Sequence, residues 1–582
     1  MTHTPHRLEI ENASIGYGEK IVIHDLSFQV PHGARVAVVG PNGAGKSTLF
    51  KALVGILPLK SGRILIHGET LGTHKDCVAY VPQREDVDWR FPVTVSDVVM
   101  MGRFGQIGWW SQPSKTDRQI VRKSIEQMGI ADLAELSIGQ LSGGQQQRAF
   151  LARALAQEPH ILLMDEPFTG IDATTQEVTF GLLDHLRKQQ VTTIISTHDL
   201  NLAASRFDLV LLINHRLIAF GAPSQVFTKE NLASAFGNSL LVMDNGMMLV
   251  DECCPPKKTR TKVKKKKKKK KKEKKKKKKP PPRGGGGGGG GGPKKKRGGG
   301  GQSKIKIQKS KMNWFLEPLA YQFMQRGLFA SVIVGVLCAV MGTYVVLRGM
   351  AFLGDAMAHA ILPGVAIAYL LQGNLLVGAG VAAVIVALSI GLFSREGTVK
   401  EDTAIGILFA AALSLGVALI SSMQTYAVDL SHILFGNVLG VSSSDLWMIV
   451  GLSFVILLTV SLFFKQFLVI SFDPVLAATL RLPAELLRNL MLVLLALTVV
   501  VSLQTVGVSL AAAMLVTPAA TAYLLTRRLL PMMLVSALIG ALSSVIGLYL
   551  SYYLNIVSGS TIVLTATAFF LITFLWKRTR SS

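Results

Sequence analysis

Arg35-Val36-Ala37-Val38-Val39-Gly40-Pro41-Asn42-Gly43-Ala44-Gly45-Lys46-Ser47-Thr48 is the stretch that decides the fold of the first half of this chain. A buried β run, a glycine-rich turn and the helix-like Leu49-Phe50-Lys51-Ala52-Leu53 follow one another without a gap. Strand, loop, helix is the context a phosphate loop requires. In it the backbone N–H groups of Gly43 to Lys46 cradle a β-phosphate at a helix N-terminus, where the dipole favours anions. Lys46 then neutralises β- and γ-oxygens, and the Ser47 hydroxyl reaches Mg²⁺. The stretch predicts a nucleoside triphosphate site built from Gly40, Asn42, Gly43, Gly45, Lys46, Ser47 and Thr48.

Downstream, Ile161-Leu162-Leu163-Met164 leads into Asp165 and Glu166, which puts two carboxylates at the C-terminal end of a parallel strand, where ligands bind in such sheets. One carboxylate paired to a metal, with the other free to accept a proton, suits hydrolysis. Between loop and acids stand Leu141-Ser142-Gly143-Gly144-Gln145, followed by a helix-forming run through Ala154 that Ser142 is placed to cap. Phosphate loop, LSGGQ and acidic strand in this order resemble the ATP-binding cassette (ABC) ATPases.

That resemblance implies ATP as substrate, Mg²⁺ held by Ser47, Gln83 and Asp165, and Glu166 as general base for the attacking water. His198, closing the apolar run Thr192–Thr197, resembles the switch histidine that binds the γ-phosphate. Gln83 resembles the Q-loop residue that senses the Mg²⁺ site and contacts a permease. Tyr17, 23 residues ahead of the loop, is placed to stack on adenine. Gly170-Ile171-Asp172 stands where the family has its D-loop, usually worded Ala-Leu-Asp, and Asp172 carries that role. Ser142, Gly143, Gly144 and Gln145 complete the ATP site of a partner subunit, so the resemblance implies a dimer with ATP between its halves.

The rest of the chain is of another kind. Of 582 residues with a formal charge of +26, residues 255–311 carry 25 Lys and 3 Arg against Glu273 alone. The remainder is nearly neutral, which excludes a nucleic-acid reading for the flanking regions. Lys264–Lys272, Lys274–Lys279 and Gly284–Gly292 cannot build a core, because like charges repel and glycine is entropically costly to order. They read as a linker joining two normally separate units. The expected organisation is an ATPase at 1–254, the linker at 255–311 and a membrane region at 312–582. Cys77, Cys253, Cys254 and Cys338 lack zinc-site spacing and read as free thiols. The first residues have no basic-then-apolar leader, which places the ATPase in the cytoplasm.

From Met312 onward, apolar blocks near 328–347, 350–371, 375–393, 402–423, 445–464, 484–506, 507–526, 531–553 and 558–576 predict eight or nine spans, with 430–441 as a half-helix. The expected fold is therefore an α/β phosphate-loop ABC ATPase followed by an all-α polytopic membrane domain of about 8–9 transmembrane helices. Arg395, Lys400, Arg481, Arg527, Arg528 and Lys577–Arg580 mark cytoplasmic loops. This assignment contains a conflict: three spans before the 395–400 loop place Met312 outside, where an N-terminal ATPase cannot sit, so either one early span is misassigned, or residues 313–326 cross or re-enter the membrane, or the joining of the two halves is not native.

Asp355 and His359 are four residues apart on one helical face within a span, where ionisable groups default to function. A carboxylate and an imidazole suit Mn²⁺, Zn²⁺ or Fe²⁺. The wording GDAMAHAILPG, KEDTAIGI, HILFGNVLG and QTVGVSLAAAMLVTPAATA resembles the ABC-3 permeases, importers of manganese, zinc or chelated iron. The resemblance marks Asp355 and His359, with His432 secondary, as the path of the transported ion. Ser471–Pro483 resembles the coupling helix that docks on the ATPase near the Q-loop. It further implies a multi-pass protein of the bacterial inner membrane, two ATPases and two permeases per machine, and a separate extracytoplasmic metal-binding protein. An exporter, a membrane-anchored non-transport ABC ATPase and a metal-sensing scaffold are the alternatives.

Overall fold

The computed structural model describes residues 6–71, 78–83, 87–169, 173–237, 240–242, 248–250, 317–394, 401–421, 438–505 and 507–581. Met1–Asp251 and Phe315–Ser582 form one compact unit.

The described residues of the first half contain two large sheets and a two-stranded one, Leu240–Val242 with Met248–Val250. Strands β1 (His6–Tyr17), β2 (Lys20–Pro31), β4 (Leu59–Ile66) and β5 (Glu69–Thr70) make an antiparallel sheet in the order β2-β1-β4-β5. Strands β3 (Arg35–Val39), β6 (Val78–Val81), β7 (Ile161–Met164), β8 (Thr192–Ser196), β9 (Leu209–Ile213) and β10 (Leu217–Gly221) make the second, ordered β10-β9-β3-β8-β7-β6. Within it β9, β3, β8, β7 and β6 run parallel. Val36–Val39, all of β7 and all of β8 are buried, as central parallel strands covered on both faces must be. The expected strands 35–39 and 161–164 are thus in place, and the one expected at 192–197 ends at Ser196. Helix α1 (Lys46–Leu53) follows β3 across the glycine loop, and α2 (Gly143–Ala156) begins inside LSGGQ.

The second half is helical: α3 (Gln322–Leu347), α4 (Ala351–Ala360), α5 (Leu362–Leu370), α6 (Leu375–Phe393), α7 (Glu401–Ser421), α8 (Ser443–Leu462), α9 (Phe464–Phe472), α10 (Pro474–Thr479), α11 (Ala484–Thr505), α12 (Val508–Leu525), α13 (Leu529–Leu554) and α14 (Ser558–Ser581). Among the described residues eight segments are long and apolar enough to cross a membrane, α4 and α5 counting as one; Ala511–Leu525 of α12 is shorter. The block expected at 350–371 is broken at Ile361, because Pro363 lacks the N–H an unbroken helix would use and instead opens α5. Small residues let the helices approach closely: Gly335 of α3 faces Gly540 of α13, and a Cβ on either would collide with the other's backbone. Of the half-helix expected at 430–441, residues 430–437 lie outside the described residues, and Val438–Gly440 forms a short 3₁₀ turn.

The structure sharpens the topological conflict. The Ser536 hydroxyl donates to Ala339 O at 2.8 Å and Gly540 meets Gly335, so α3 and α13 are antiparallel. Tyr321, just ahead of α3, lies beside Tyr552 at the far end of α13. The near end of α13 follows Arg528, which pairs with Glu135 of the ATPase half. A helix of 26 residues spans about 39 Å. Glu317–Tyr321 therefore lies on the face remote from the ATPase, the side on which a count of three spans before the 395–400 loop also puts it.

Candidate functional site

The turn after β3 is shaped by glycine. Gly43 and Gly45 take φ of 84° and 103°, in the left-handed region, and a Cβ at Gly45 would press on Ile23 at 2.8 Å. Gly45 ends the turn as the N-cap of α1 without a side-chain cap, so no side chain of the cap competes with an anion for the first N–H groups. Lys46 is buried, and its Nζ donates to Gly40 O at 2.8 Å and Pro41 O at 3.3 Å, carbonyls of its own loop. Burial lowers its pKa below the ordinary lysine range, and the charges of Glu166 and Asp165 act in the opposite sense. These donors, with the partly buried Ser47, form a cationic, N–H-lined cradle that fits a phosphate chain.

Strand register gathers the rest. Val81 pairs with Met164, Met164 with Ile195, and Ser196 with Val38, so Gln83, Asp165, Ser196 and the glycine loop open from the C-terminal ends of adjacent strands. Buried Asp165 accepts the Ser196 hydroxyl at 2.5 Å. The same Ser196 oxygen accepts the backbone N–H of Glu166 at 2.8 Å. Glu166 stands at φ 49°, left-handed for a non-glycine residue, a strain of roughly 1–3 kcal/mol that clusters at functional sites. Sequence reasoning missed Ser196; its only signal was a hydroxyl at the end of an apolar strand. His198 follows two residues on and is exposed. Tyr17 is 47% exposed at the tip of the β1–β2 hairpin, whose Val22 and Ile23 abut Gly45. Asp172 lies outside the described residues.

Ser142 is the N-cap expected of it, and more. Gln145 N donates to Ser142 Oγ at 3.4 Å while Gln145 Oε1 accepts Ser142 N at 2.9 Å, a reciprocal capping box. Ser142 itself is exposed, and Gly143 starts the helix with its N–H groups uncovered by any Cβ.

The other end of α2 meets the membrane half. Asp473 Oδ1 accepts Leu476 N at 2.9 Å and caps α10, and Pro474 fills the first helical position. Asp473 Oδ2 accepts Arg153 Nη1 at 2.6 Å, with side-chain exposures of 0% and 1%. Phe472 packs between Phe91 and Phe150, at 5.6 and 6.3 Å between ring centroids. The strand leading to Gln83 lies against α10. The short helix expected to dock near the Q-loop does so. Neither Arg153 nor its partner was singled out from sequence, because nothing local signals an ion pair across 320 residues. Lys465 donates to Gly108 O and Ser111 O at 3.0 and 2.7 Å, and Tyr523 to Arg90 O at 3.0 Å, so the contact is broad.

Within the spans, Asp355 Oδ1 and His359 Nε2 are 3.8 Å apart on α4, one turn before the break at Ile361. Their side chains are 45% and 26% exposed in the single chain. No group of three or more His, Cys, Asp or Glu among the described residues is arranged to hold a metal ion. His432 lies outside them. Cys338 is a buried free thiol.

The ABC transporter family matches residues 23–169, and the ABC 3 transport family matches residues 320–577. Over 269 residues the chain is 46% identical to the manganese transport system membrane protein MntC of Halalkalibacterium halodurans, covering 46% of this chain and 92% of that protein. Over 241 residues it is 44% identical to the manganese transport system ATP-binding protein MntB of Bacillus subtilis, covering 41% of this chain and 96% of that protein. It is also 44% identical over 237 residues to the zinc transport system ATP-binding protein TroB of Treponema pallidum, covering 41% of this chain and 89% of that protein. Sheet, nucleotide cradle, docked helix and spans agree with both matches. The chain belongs to the ABC transporters, a cytoplasmic ATP-hydrolysing domain coupled to a multi-pass ABC-3 membrane domain in one polypeptide.

Proposed function

We propose that the chain imports a divalent transition metal ion, Mn²⁺ foremost, with two copies supplying two ATPases and two permeases. The observation that carries this reading is the Asp355–His359 pair on a broken helix inside the spans. A charged group at a helix centre costs about 2.5–3.5 kcal/mol on insertion scales, so an exposed carboxylate there calls for a cavity or a partner. Discontinuous membrane helices line substrate sites for the same reason. Oxygen and nitrogen donors suit Mn²⁺, Zn²⁺ and Fe²⁺ alike. The relatives described above, two manganese transport proteins and one zinc transport protein, favour Mn²⁺. The second copy and a separate extracytoplasmic binding protein complete the path in this reading.

At the nucleotide, Tyr17 stacks on adenine and the Gly43–Lys46 amides hold the β-phosphate. Lys46 exchanges its bonds to Gly40 and Pro41 for phosphate oxygens. Mg²⁺ bound with ATP would be held by Ser47, Gln83 and Asp165 and would neutralise charge on the β- and γ-phosphates. Glu166 accepts the proton of the attacking water, with its backbone fixed by Ser196. His198 contacts the γ-phosphate, Asp172 serves as the D-loop residue, and Ser142, Gly143, Gly144 and Gln145 close over the ATP of the second copy.

Reconstitution of the full chain in liposomes tests the reading. ATP hydrolysis and metal uptake are measured with Mn²⁺, Zn²⁺ or Fe²⁺, with and without candidate binding proteins. Stimulation and uptake, greatest with Mn²⁺, are expected. Hydrolysis indifferent to all three metals would remove the metal reading, and uptake-independent efflux without a binding protein would favour an exporter.

A further inference from the structure

We propose that Trp109 and Trp110 seat the ATPase half directly in the headgroup layer of the cytoplasmic leaflet, so that lipid holds this half as well as the docked helix does. This hold depends on the bilayer alone and not on which ion is carried.

Helix α8 has two unlike sides. Ile449, Ser453, Ile456 and Val460 are buried, while Trp447, Val455, Leu458 and Leu462 stand out on the opposite side, 44–76% exposed. No ionisable residue lies between Trp447 and Leu462, so acyl chains cover this stripe without desolvating a charge. The exposed Asp355–His359 pair on α4 has the other need, a polar cover, and is the face that calls for protein.

The 20 residues of α8 span about 30 Å, the thickness of the hydrocarbon core. The stripe therefore ends where acyl chains meet headgroups, and Phe463 stands just past that level. The Trp109 and Trp110 rings lie 6.2 and 5.0 Å from the Phe463 ring, both edge-on. A headgroup layer is roughly 5–8 Å deep, so the two indoles belong to it. The loop is fixed there by α9: Lys465 Nζ donates to Gly108 O and Ser111 O, and Gln466 Nε2 to Trp109 O at 3.2 Å.

After this packing Trp109 is still 40% and Trp110 59% exposed. Neither indole N–H has a protein acceptor among the described residues. In a headgroup layer an indole lays its apolar body against acyl chains and gives its N–H to phosphate or ester oxygens. The membrane half marks its two surfaces in the same way. Trp447 is 76% exposed near the outer end of α8, and Trp576 is 48% exposed beside Lys577 at the cytoplasmic end of α14. Trp109 and Trp110 continue the inner belt onto the soluble half.

The test reconstitutes the full chain, as wild type and as Trp109→Phe with Trp110→Phe, in vesicles of phosphatidylcholine and phosphatidylglycerol in equal amounts. The phosphatidylcholine carries bromine either high on its acyl chains, beside the headgroup, or near their ends. Emission from the two forms is subtracted, so that the difference reports Trp109 and Trp110 alone among the six tryptophans. The shallow bromine should quench this difference roughly twofold more strongly than the deep one, as expected for rings at the headgroup boundary. Iodide, present on both sides of the membrane, should quench it less than the shallow bromine does. Quenching by iodide with no response to either bromine places the pair in water and overturns the proposal. Protection from all three quenchers means cover by a second copy and overturns it as well, as does stronger quenching by the deep bromine. If the phenylalanine form does not fold, a bimane label on Gln112→Cys, in a chain whose four native cysteines are alanine, is read with the same quenchers and judged by the same outcomes.

Discussion

The nucleotide site and the intramembrane pair place their chemistry by different means. In the first half, Lys46, Ser47, Asp165, Glu166 and Gln83 each sit within two residues or one short loop of a strand end, so register alone brings them to one edge. In the second half, Asp355 and His359 meet by helical spacing, but what surrounds them depends on helices that are apolar on nearly every side. The soluble half writes position into short motifs because its glycines, caps and charges have few alternatives in water. The membrane half reveals where spans are and much less of which span touches which, because lipid tails do not distinguish one apolar face from another.

Breaking each site tests this contrast. Glu166→Gln should lower ATP hydrolysis by about 10²- to 10⁴-fold, the scale of a general base, with ATP binding retained. Phosphate release and nucleotide-binding titration measure it, and hydrolysis near wild type would strip Glu166 of that role. Asp355→Ala should reduce Mn²⁺ uptake by an order of magnitude or more, with its conservative counterpart Asp355→Glu recovering part of it. Uptake at wild-type level in the alanine form would take Asp355 off the ion path. Asp473→Leu alone leaves Arg153 buried and uncompensated, a loss of about 3–5 kcal/mol, whereas replacing both partners by apolar residues is close to neutral. Chemical unfolding of the two forms compares them, and equal losses would contradict a buried pair. At the small end, Ser142→Ala removes a cap worth about 1 kcal/mol, to be read in thermal unfolding. A far larger effect on hydrolysis than on unfolding would show Ser142 acting on nucleotide in the second copy.

The position of Glu317–Tyr321 on the face away from the ATPase gives a fifth test. The relatives named above are separate ATP-binding and membrane proteins. Residues 1–254 and 312–582 expressed as two chains should therefore match or exceed the full chain in Mn²⁺ uptake, measured in the same cells. Higher uptake by the full chain would mean that residues 255–311 contribute to the working geometry.

Much of this was legible in the order of residues. Gly43 and Gly45 marked a phosphate loop, Ser142 marked a helix cap, and runs such as Leu375–Phe393 marked spans by length alone. The conflict over Met312 was legible too, from the positions of a few arginines and lysines. Ser196 was not, because one hydroxyl at a strand end has many uses and only the neighbouring strand gives it Asp165 and the Glu166 amide. The break at Ile361 was not read from the sequence, where 350–371 stood as one span, although Pro363, which opens α5, was there to signal it.

The sequence by itself pointed to the phosphate loop, the family and the placement of the apolar spans, eight or nine in number, since each depends on spacing within a few tens of residues. Only the tertiary structure decided that Arg153 meets Asp473 and that the membrane half begins on the face opposite the ATPase. Both are relations between residues hundreds of positions apart. They are fixed by the burial of side chains against one another rather than by any local preference of the backbone.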